Sequence, residues 1–273
     1  DFHSPVYHFS IIRQKDFSWN ASLLYAFNRN KVKHISVQPS LWDSRISMPT
    51  SYPMVGKPLY GIYAYKWAGL NENGDPQVYD AENNVTSGPA RDYHALVYCG
   101  TTVPIHNASL TNVLRYKGFE FSAMLILDAG HKLRSSNIPS INMSNGRITS
   151  TAKGIVDRWT QPGDVTDVPR LLFSNDTENF NTHRTELYRY SDLFVYDASN
   201  IRLSNISLAY RVPAHWCKKI SLSGARLQFN VENVATFAFD SKANYDLGGK
   251  VKPNYVWGLY LFFHIIHPLK IQI

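Results

Sequence analysis

Strict alternation of apolar and polar residues is the feature of this 273-residue sequence that most constrains its fold. Between Phe17 and Asn28, every second side chain is aromatic or aliphatic, and most of the side chains between them are small or polar. A β-strand points successive side chains to opposite faces, so the pattern predicts a sheet with one apolar and one polar face. Alternation over about eleven residues matches a tilted strand that crosses a bilayer, and it exceeds the usual strand of a soluble protein.

The same pattern recurs in four more segments of the chain. Weaker candidates cover 57–67, 93–99 and 109–117, which gives about eight strands in all. Between Leu203 and Ile206 the apolar positions shift by one residue, and this predicts a β-bulge. The apolar residues of the alternating segments that we predict to face lipid are Trp19, Phe121, Leu125, Leu208, Tyr210, Leu227, Phe229, Leu259 and Leu261.

The connections between these segments differ in length. Lys117-Gly118 predicts a tight hairpin turn, and Val212-Pro213 opens a second short connection. The long polar connections are 30–56, 131–190 and 234–254. Short turns on one side and long loops on the other, with aromatic residues near strand ends, are typical of outer-membrane barrels. We therefore predict an all-β fold, an antiparallel transmembrane β-barrel with its long loops outside the cell.

Composition leaves two alternatives open and disfavours others. The net charge of +7 is dispersed, with no basic run beyond Lys218-Lys219, so we expect no nucleic-acid partner. The longest apolar stretch, 256–266, is too short for a spanning helix. A self-contained small outer-membrane barrel would show the same alternation, and so would a soluble secreted β-protein such as a carbohydrate-binding module.

The sequence carries no recognised catalytic motif, so we expect no enzyme activity. It lacks Gly-x-Ser-x-Gly, His-Glu-x-x-His and the phosphate-binding Gly-Lys-Ser/Thr loop. Cys99 and Cys217 have neither metal nor redox spacing, and we expect no cofactor or metal. Trp159, Asp164 and Arg170 in the long 131–190 loop are weak candidates for ligand contacts. A Trp there also serves plain loop packing, and an Asp in a Pro-Gly loop more often caps a turn.

Several motifs occur together in a specific order and spacing. They are DASNIRLSNISLAYRVP at 197–213, RWTQPGD at 158–164 followed by DVPR at 167–170, and YCG at 98–100 followed by YKGFEF at 116–121. Each motif alone is weak evidence. Together they resemble the C-terminal barrel region of the SusC/RagA family of TonB-dependent outer-membrane transporters, over about residues 11–263.

The resemblance implies a function and a set of partners. It implies an importer of oligosaccharides or peptides in the cell outer membrane that works with a SusD-like surface lipoprotein. It also implies energy coupling to the TonB complex through an N-terminal plug region that this sequence does not contain. Residues 1–263 would then supply about eight strands of a barrel of roughly 22 strands. On this basis we expect the chain to be a C-terminal fragment.

The C-terminal end departs from the family pattern. Barrels of this family usually stop at an aromatic residue, which acts as an assembly signal, and Phe262 and Phe263 match that role. Here they are followed by residues 264–273, an atypical tail. We expect Phe262 and Phe263 to act as the assembly signal, although a tail follows them.

Overall fold

The computed structural model describes residues 2–3, 5–36, 44–88, 92–143, 152–173, 182–219, 222–247 and 254–263. Strands dominate it. In chain order they are β1 (Phe2–His3), β2 (Val6–Arg13), β3 (Phe17–Asn28), β4 (Gly61–Tyr65), β5 (Trp67–Leu70), β6 (Pro76–Tyr79), β7 (Val85–Thr86), β8 (Leu96–Thr101), β9 (His106–Tyr116), β10 (Phe119–Ala129), β11 (Lys132–Arg134), β12 (Asn142–Met143), β13 (Leu172–Phe173), β14 (Val195–Asp197), β15 (Asn200–Arg211), β16 (Leu222–Ala238) and β17 (Asn254–Phe263).

The helices are short. The α-helices are α1 (Ser44–Ser47), α2 (Thr182–Arg189), α3 (Ala214–Lys218) and α4 (Asn244–Leu247), and the 3-10 helices are Tyr93–Ala95, Lys153–Asp157, Asp192–Phe194 and Ser241–Ala243. Among the described residues, no helix is long and apolar enough to span a membrane. The prediction of an all-β fold misses α2, which has eight residues.

The largest sheet, here called the wall, is antiparallel. Its order is β1/β2, β3, β9, β10, β15, β16 and β17, with β1 and β2 sharing one edge because both pair with β3. Its strands are long, and β16 alone has 17 residues. The alternating sequence explains this length, because each added residue continues the same two faces.

All short connections of the wall lie at one end, which we call the turn end, and all long ones lie at the opposite loop end. The short connections are 14–16, 117–118 and 212–221, and the long ones are 29–105, 130–199 and 239–253. The predicted hairpin turn at Lys117-Gly118 is confirmed, since Tyr116 pairs with Phe119 across it. Lys117 has a φ of 47°, the left-handed conformation that tight hairpins require.

The predicted bulge in β15 is also confirmed. The register against β16 shifts between Leu203 and Asn205, so Ser204 has no register partner there. On β16, Asn233 has a φ of 54°, a conformation that Asn tolerates better than most residues. The bulge keeps the apolar residues on one face of the wall on both sides of the irregularity.

Two of the weaker strand predictions fall on strands, but these strands do not belong to the wall. Residues 57–67 and 93–99 contribute β4 and β8, which pair with each other in a separate sheet and not with the wall. All five residues of β4 are buried, so both of its faces are covered and its sequence need not alternate. Strand β2, at the edge of the wall, was not predicted. Its alternation of apolar and polar residues is interrupted where its register against β3 shifts, between Ser10 and Ile12.

Most of the hydrophobic core lies at the loop end, and a smaller buried cluster of Cys217, Leu222 and Ala225 lies at the turn end of the wall. Two clusters of buried side chains come from the connections 29–105 and 130–199, which together we call the cap. The wall itself buries mainly small residues, such as Ala21 and Ala209. The buried core residues of the cap are Tyr63, Tyr65, Val78, Ala95, Leu96 and Leu187 in one cluster and Ile141, Tyr188 and Phe194 in the other.

Candidate functional site

The strand register collects all of the predicted lipid-facing residues on one side of the wall, which we call the apolar face. Phe121 pairs with Leu208, which pairs with Phe229. In the next row towards the turn end, Tyr210 pairs with Leu227, which pairs with Leu259. Directly paired residues of antiparallel strands point to the same face. Trp19, Leu125 and Leu261 occupy register positions on this face as well.

Large side chains on the apolar face are exposed. Phe121 is 40% exposed, Leu208 is 48% exposed and Leu227 is 48% exposed. These residues lie on three consecutive strands of the wall, so their exposure forms one contiguous patch. A soluble monomer rarely leaves such a wide apolar patch in contact with water, so the face requires an apolar environment or a partner.

Aromatic residues on the apolar face form two levels. At the turn end the level contains Phe17 and Phe119, and at the loop end it contains Phe27 and Phe237. Phe17 and Phe27 lie ten residues apart on β3, about 33 Å along a strand. With a strand tilt of about 40°, this distance projects to about 25 Å, the height of the apolar band of a transmembrane barrel.

Polar groups on the apolar face are paired with each other. The indole Nε1 of Trp19 donates a hydrogen bond to Oδ1 of Asn112 at 3.1 Å. At the loop-end aromatic level, the hydroxyl of Tyr25 lies 2.7 Å from Nδ1 of His106. Such pairing lowers the cost of placing polar side chains against an apolar medium.

The opposite side of the wall, which we call the polar face, carries hydroxyl and amide groups along its middle. Gln228 donates to Ser207 at 3.2 Å and to Asn230 at 3.0 Å. His8 and Ser22 are also hydrogen-bonded, at 2.9 Å. This lining can form hydrogen bonds with water or with a polar solute.

Charged groups on the polar face are placed towards its two ends. Near the turn end, Glu120 accepts hydrogen bonds from Arg115 at 2.7 Å and from Arg226 at 3.0 Å. At the loop end, Asp128 accepts from Asn107 at 2.6 Å, and Arg202 lies 3.5 Å away. These contacts link β10 to its neighbours β9 and β15 and, through Arg226, to β16 beyond β15.

An ion-pair cluster centred on Asp75 holds the cap together. Asp75 accepts two hydrogen bonds from Arg170, at 2.8 and 3.1 Å, and one from Nε of Arg184 at 3.1 Å. The remaining guanidinium nitrogens of Arg184 donate to the carbonyl oxygens of Ile141 and Arg170 and to the side chain of Asn142. The Arg184 side chain is only 3% exposed. Burial lowers the pKa of this guanidinium, and the Asp75 carboxylate opposes that shift.

All three weak ligand candidates make contacts within the protein. The backbone N–H of Trp159 donates to Val168 at 2.8 Å, and its ring packs against Gly74. The Asp164 carboxylate accepts from the backbone N–H and hydroxyl of Thr160, and these bonds hold its pKa below the usual range. Arg170 belongs to the Asp75 cluster described above. Ligand contact by these three residues stays a prediction.

We expect Gly74→Ala to loosen the cap around Trp159. Gly74 has a φ of +72°, and an added Cβ would lie 2.4 Å from the indole ring. The left-handed conformation alone costs about 1–2 kcal/mol for an L-residue, and displacement of the ring adds to it. Hydrogen exchange of the Trp159 amide should accelerate, because its bond to Val168 depends on the ring position.

Gly163→Ala is the matched control for this change. Gly163 has a φ of +98°, but an added Cβ there would meet no atom within 4 Å. It therefore carries the backbone strain without the steric clash. Equal acceleration of Trp159 exchange in both variants would contradict the proposed packing role of Gly74.

The C-terminal strand β17 pairs with β16. Phe263 pairs with Leu222 and Phe262 pairs with Gly224, which places both at the turn end of β17. Their role as an assembly signal stays a prediction, and the tail 264–273 lies outside the described residues.

A metal site and a reactive cysteine are two further site types to compare with the described part of the chain. It contains no group of three or more His, Cys, Asp or Glu residues positioned to hold a metal ion. Cys99 and Cys217 are both free thiols, and burial raises the pKa of Cys99 to about 11. At that pKa the thiol stays protonated and poorly nucleophilic near neutral pH.

Sequence reasoning missed the Asp75 cluster. Asp75 and Arg184 are separated by 109 positions, and no local pattern joins them. Asp75 stands between a left-handed Gly74 and the fully buried Pro76, so a sharp turn was the one local signal available.

Comparison with known proteins gives consistent results. No family model matches the chain. It is 25% identical over 270 residues to TonB-dependent receptor P3 of Formosa agariphila, covering 90% of this chain and 26% of that protein. It is also 25% identical over 232 residues to TonB-dependent receptor P26 of the same organism, covering 79% of this chain and 22% of that protein. The chain thus spans about a quarter of the length of these relatives.

Solved structures of the RagAB peptide transporter share the fold. One superposes with a TM-score of 0.69 at 19% identity, covering 94% of this chain and 28% of that chain. Another, of the importer in its open-open state, superposes with a TM-score of 0.67 at 18% identity, covering 95% of this chain and 28% of that chain. The resemblance predicted from the sequence motifs is therefore confirmed: over most of its length this chain is similar to TonB-dependent receptors, and it has the fold of the matching part of the RagAB importer.

Proposed function

We propose that this chain forms part of the wall and the external loops of a TonB-dependent importer in the bacterial outer membrane. Residues 1–263 would belong to the C-terminal part of its β-barrel, with 264–273 as a separate tail. The long 131–190 loop would face the outside of the cell. The curated relatives are named as receptors and the structural neighbours as importers, which supports transport and gives no support to enzymatic chemistry.

The observation that carries this proposal is the two-faced wall. Its apolar face exposes large side chains such as Phe121 and Leu208, and its polar face carries hydroxyl and amide groups. Hydrocarbon offers no hydrogen bonds, so a strand that contacts lipid must pair on both sides and turn apolar residues outward. The polar face would then line an aqueous lumen.

Closure of the barrel requires strands beyond those in the described wall. The wall ends in β1/β2 on one side and β17 on the other, and an unpaired edge within a membrane is costly. The relatives are about four times as long as the matched region, so they contain additional chain that could supply those strands. A barrel of roughly 22 strands is the size of the large outer-membrane transporters.

The ligand and the partners follow from the neighbours by analogy. RagAB is a peptide importer, which supports a peptide as the imported solute, and an oligosaccharide is the alternative that the sequence resemblance implies. We propose a SusD-like lipoprotein as the partner that captures the solute at the loop end. The TonB complex would act through a plug region located elsewhere in the protein.

Growth on defined nutrients tests the proposed import. Deletion of the encoding gene should abolish growth on either peptides or oligosaccharides as the sole nutrient, while growth on free amino acids and monosaccharides continues. Deletion of the TonB gene should give the same defect, because the import depends on energy from the inner membrane. Unchanged growth on both nutrient classes would contradict import. Recovery of the protein from the soluble fraction without detergent would favour a secreted β-protein.

A further inference from the structure

A groove lies between two neighbouring turns at the turn end of the wall. It encloses about 580 Å³, and its apolar lining includes Phe119, Tyr210, Val212 and Pro213. The ring centroids of Phe119 and Tyr210 are 4.5 Å apart. The two turns are joined by a hydrogen bond of 2.8 Å from the backbone N–H of Arg211 to the carbonyl oxygen of Gly118. The groove is therefore formed by two turns that a hydrogen bond holds together.

Two cationic side chains line this groove, and two more lie further along one of its connections. Lys117 and Arg211 line it, and Lys218 and Lys219 follow in the same connection as Pro213. All four are exposed, and none takes part in an ion pair of the described residues. The nearest turn contributes Asp16, whose carbonyl oxygen accepts the backbone N–H of Lys117 at 3.0 Å. In the described part of the chain, two exposed cations line the groove and no carboxylate does, which leaves an excess of positive charge there.

The arginines of the polar face do not share this excess. Arg115 and Arg226 both donate to Glu120, at 2.7 and 3.0 Å. Their charge is thus partly neutralised inside the wall. Lys117, in the turn, and Arg211, the last residue of β15 and the register partner of Arg226 at the edge of the polar face, have no ion-pair partner among the described residues, so the unneutralised positive charge lies at the rim.

The apolar lining of the groove continues into the apolar face. Phe119 and Tyr210 are register partners within that face. Trp216, in the short helix α3 of the adjacent connection, is 55% exposed. Trp side chains are enriched where a membrane meets water, and basic side chains there reach towards lipid phosphates. The groove therefore places an apolar surface next to a cationic rim, as expected at the boundary between a membrane and water.

We propose that this groove binds one phospholipid, with its phosphate beside Lys117 and Arg211 and the start of its acyl chains against Phe119 and Tyr210. The proposal rests on the proposed function, because the groove meets lipid only if the apolar face does. Inorganic phosphate shares the anionic chemistry of the headgroup. It has no acyl chain to cover the aromatic lining, so the apolar part of the groove favours a lipid.

Lipid retention in the full-length protein tests this proposal. The protein would be reconstituted in vesicles of equal parts phosphatidylethanolamine and phosphatidylglycerol, released in mild detergent, and weighed by native mass spectrometry. We expect one retained phospholipid per chain. Lys117→Glu with Arg211→Glu should reduce retention at least about tenfold, since each basic residue near an anionic surface contributes roughly the free energy of a several-fold change in affinity.

The matched control reverses two charges at the loop end, Lys66→Glu with Lys242→Glu. Lys66 is exposed and stacks on Tyr79, as Lys117 stacks on Tyr116. This control should retain the lipid. Should the charge-reversed groove variant fail to fold, Lys117→Gln with Arg211→Gln serves in its place and should also lose retention.

Four results would overturn the proposal. Equal retention in the groove and control variants would show that another surface holds the lipid. Displacement of the lipid by millimolar inorganic phosphate, with phosphate itself retained, would make the site one for free phosphate. A protein that inserts into the vesicles and retains no phospholipid would refute lipid binding in the groove and leave the proposed function untouched. A protein that fails to insert at all would refute the proposed function together with it.

Discussion

Leu125→Arg should prevent most of the protein from reaching the folded, membrane-inserted state. Leu125 lies on the apolar face between the two aromatic levels, six residues from Phe119, and its register partners are Leu110 and Leu203. At this depth the proposed function places it near the middle of the lipid. An Arg on the lipid face costs about 2–4 kcal/mol at the midplane of a bilayer. Folded protein would be measured in vesicles by its altered mobility on unheated gels and by urea unfolding.

Depth and face each provide a control for this prediction. Leu227→Arg changes a residue of the same face, but Leu227 pairs with Tyr210 at the turn-end aromatic level. The cost there should fall to about 0–1 kcal/mol. Ser122→Arg changes the polar face of the same strand, three residues from Leu125, and should fold normally. Equal loss for Leu125→Arg and Ser122→Arg would contradict the assignment of the two faces.

The wall was largely predictable from the sequence, because a sheet that is one layer thick leaves a period-two signal in every strand. The segment Phe17–Asn28 became β3 with the predicted bounds. The bulge near Leu203 followed from a single shift in that period. Closure of the wall into a barrel has no such local signal, because it depends on pairing with residues far away along the chain.

The cap was not predictable in the same way. Strand β4 is covered on both faces, so its residues lack alternation and its pairing partner had to come from the fold. The contact between Asp75 and Arg170 spans 95 positions in sequence. No local sequence pattern around either residue predicts this contact. Trp159, Asp164 and Arg170 lie in the connection between β10 and β15, and their contacts with Gly74, Thr160 and Asp75 needed the three-dimensional structure.

Asp75→Asn should open the cap while the wall stays folded. The substitution removes the countercharge of two guanidinium groups, and that of Arg184 is almost completely buried. Removing one partner of a buried ion pair typically costs about 3–5 kcal/mol, because the remaining charge is left without compensation. The wall strands do not contain this cluster, so the gel mobility of the folded protein should be unchanged.

Hydrogen exchange would locate the effect of Asp75→Asn. The amide of Arg170 donates to the carbonyl of Gly74 at 3.0 Å, and the amide of Leu172 donates to that of Ile141 at 3.1 Å. Both bonds join segments that the Asp75 cluster holds together, so both amides should exchange much faster in the variant. Asp164→Asn is the control, since Asp164 is only partly buried and forms local hydrogen bonds only.

A second substitution separates the loss of charge from the loss of shape. Arg184→Met in the Asp75→Asn background removes the buried guanidinium that the first change left uncompensated. Replacement of a whole buried ion pair by apolar residues is often close to neutral in stability. Exchange at Arg170 should therefore slow again in the double variant, although Arg184→Met also gives up its bonds to Ile141 and Asn142. If the double variant exchanged faster than Asp75→Asn alone, those bonds, and not the charge of Asp75, would be what holds the cap closed.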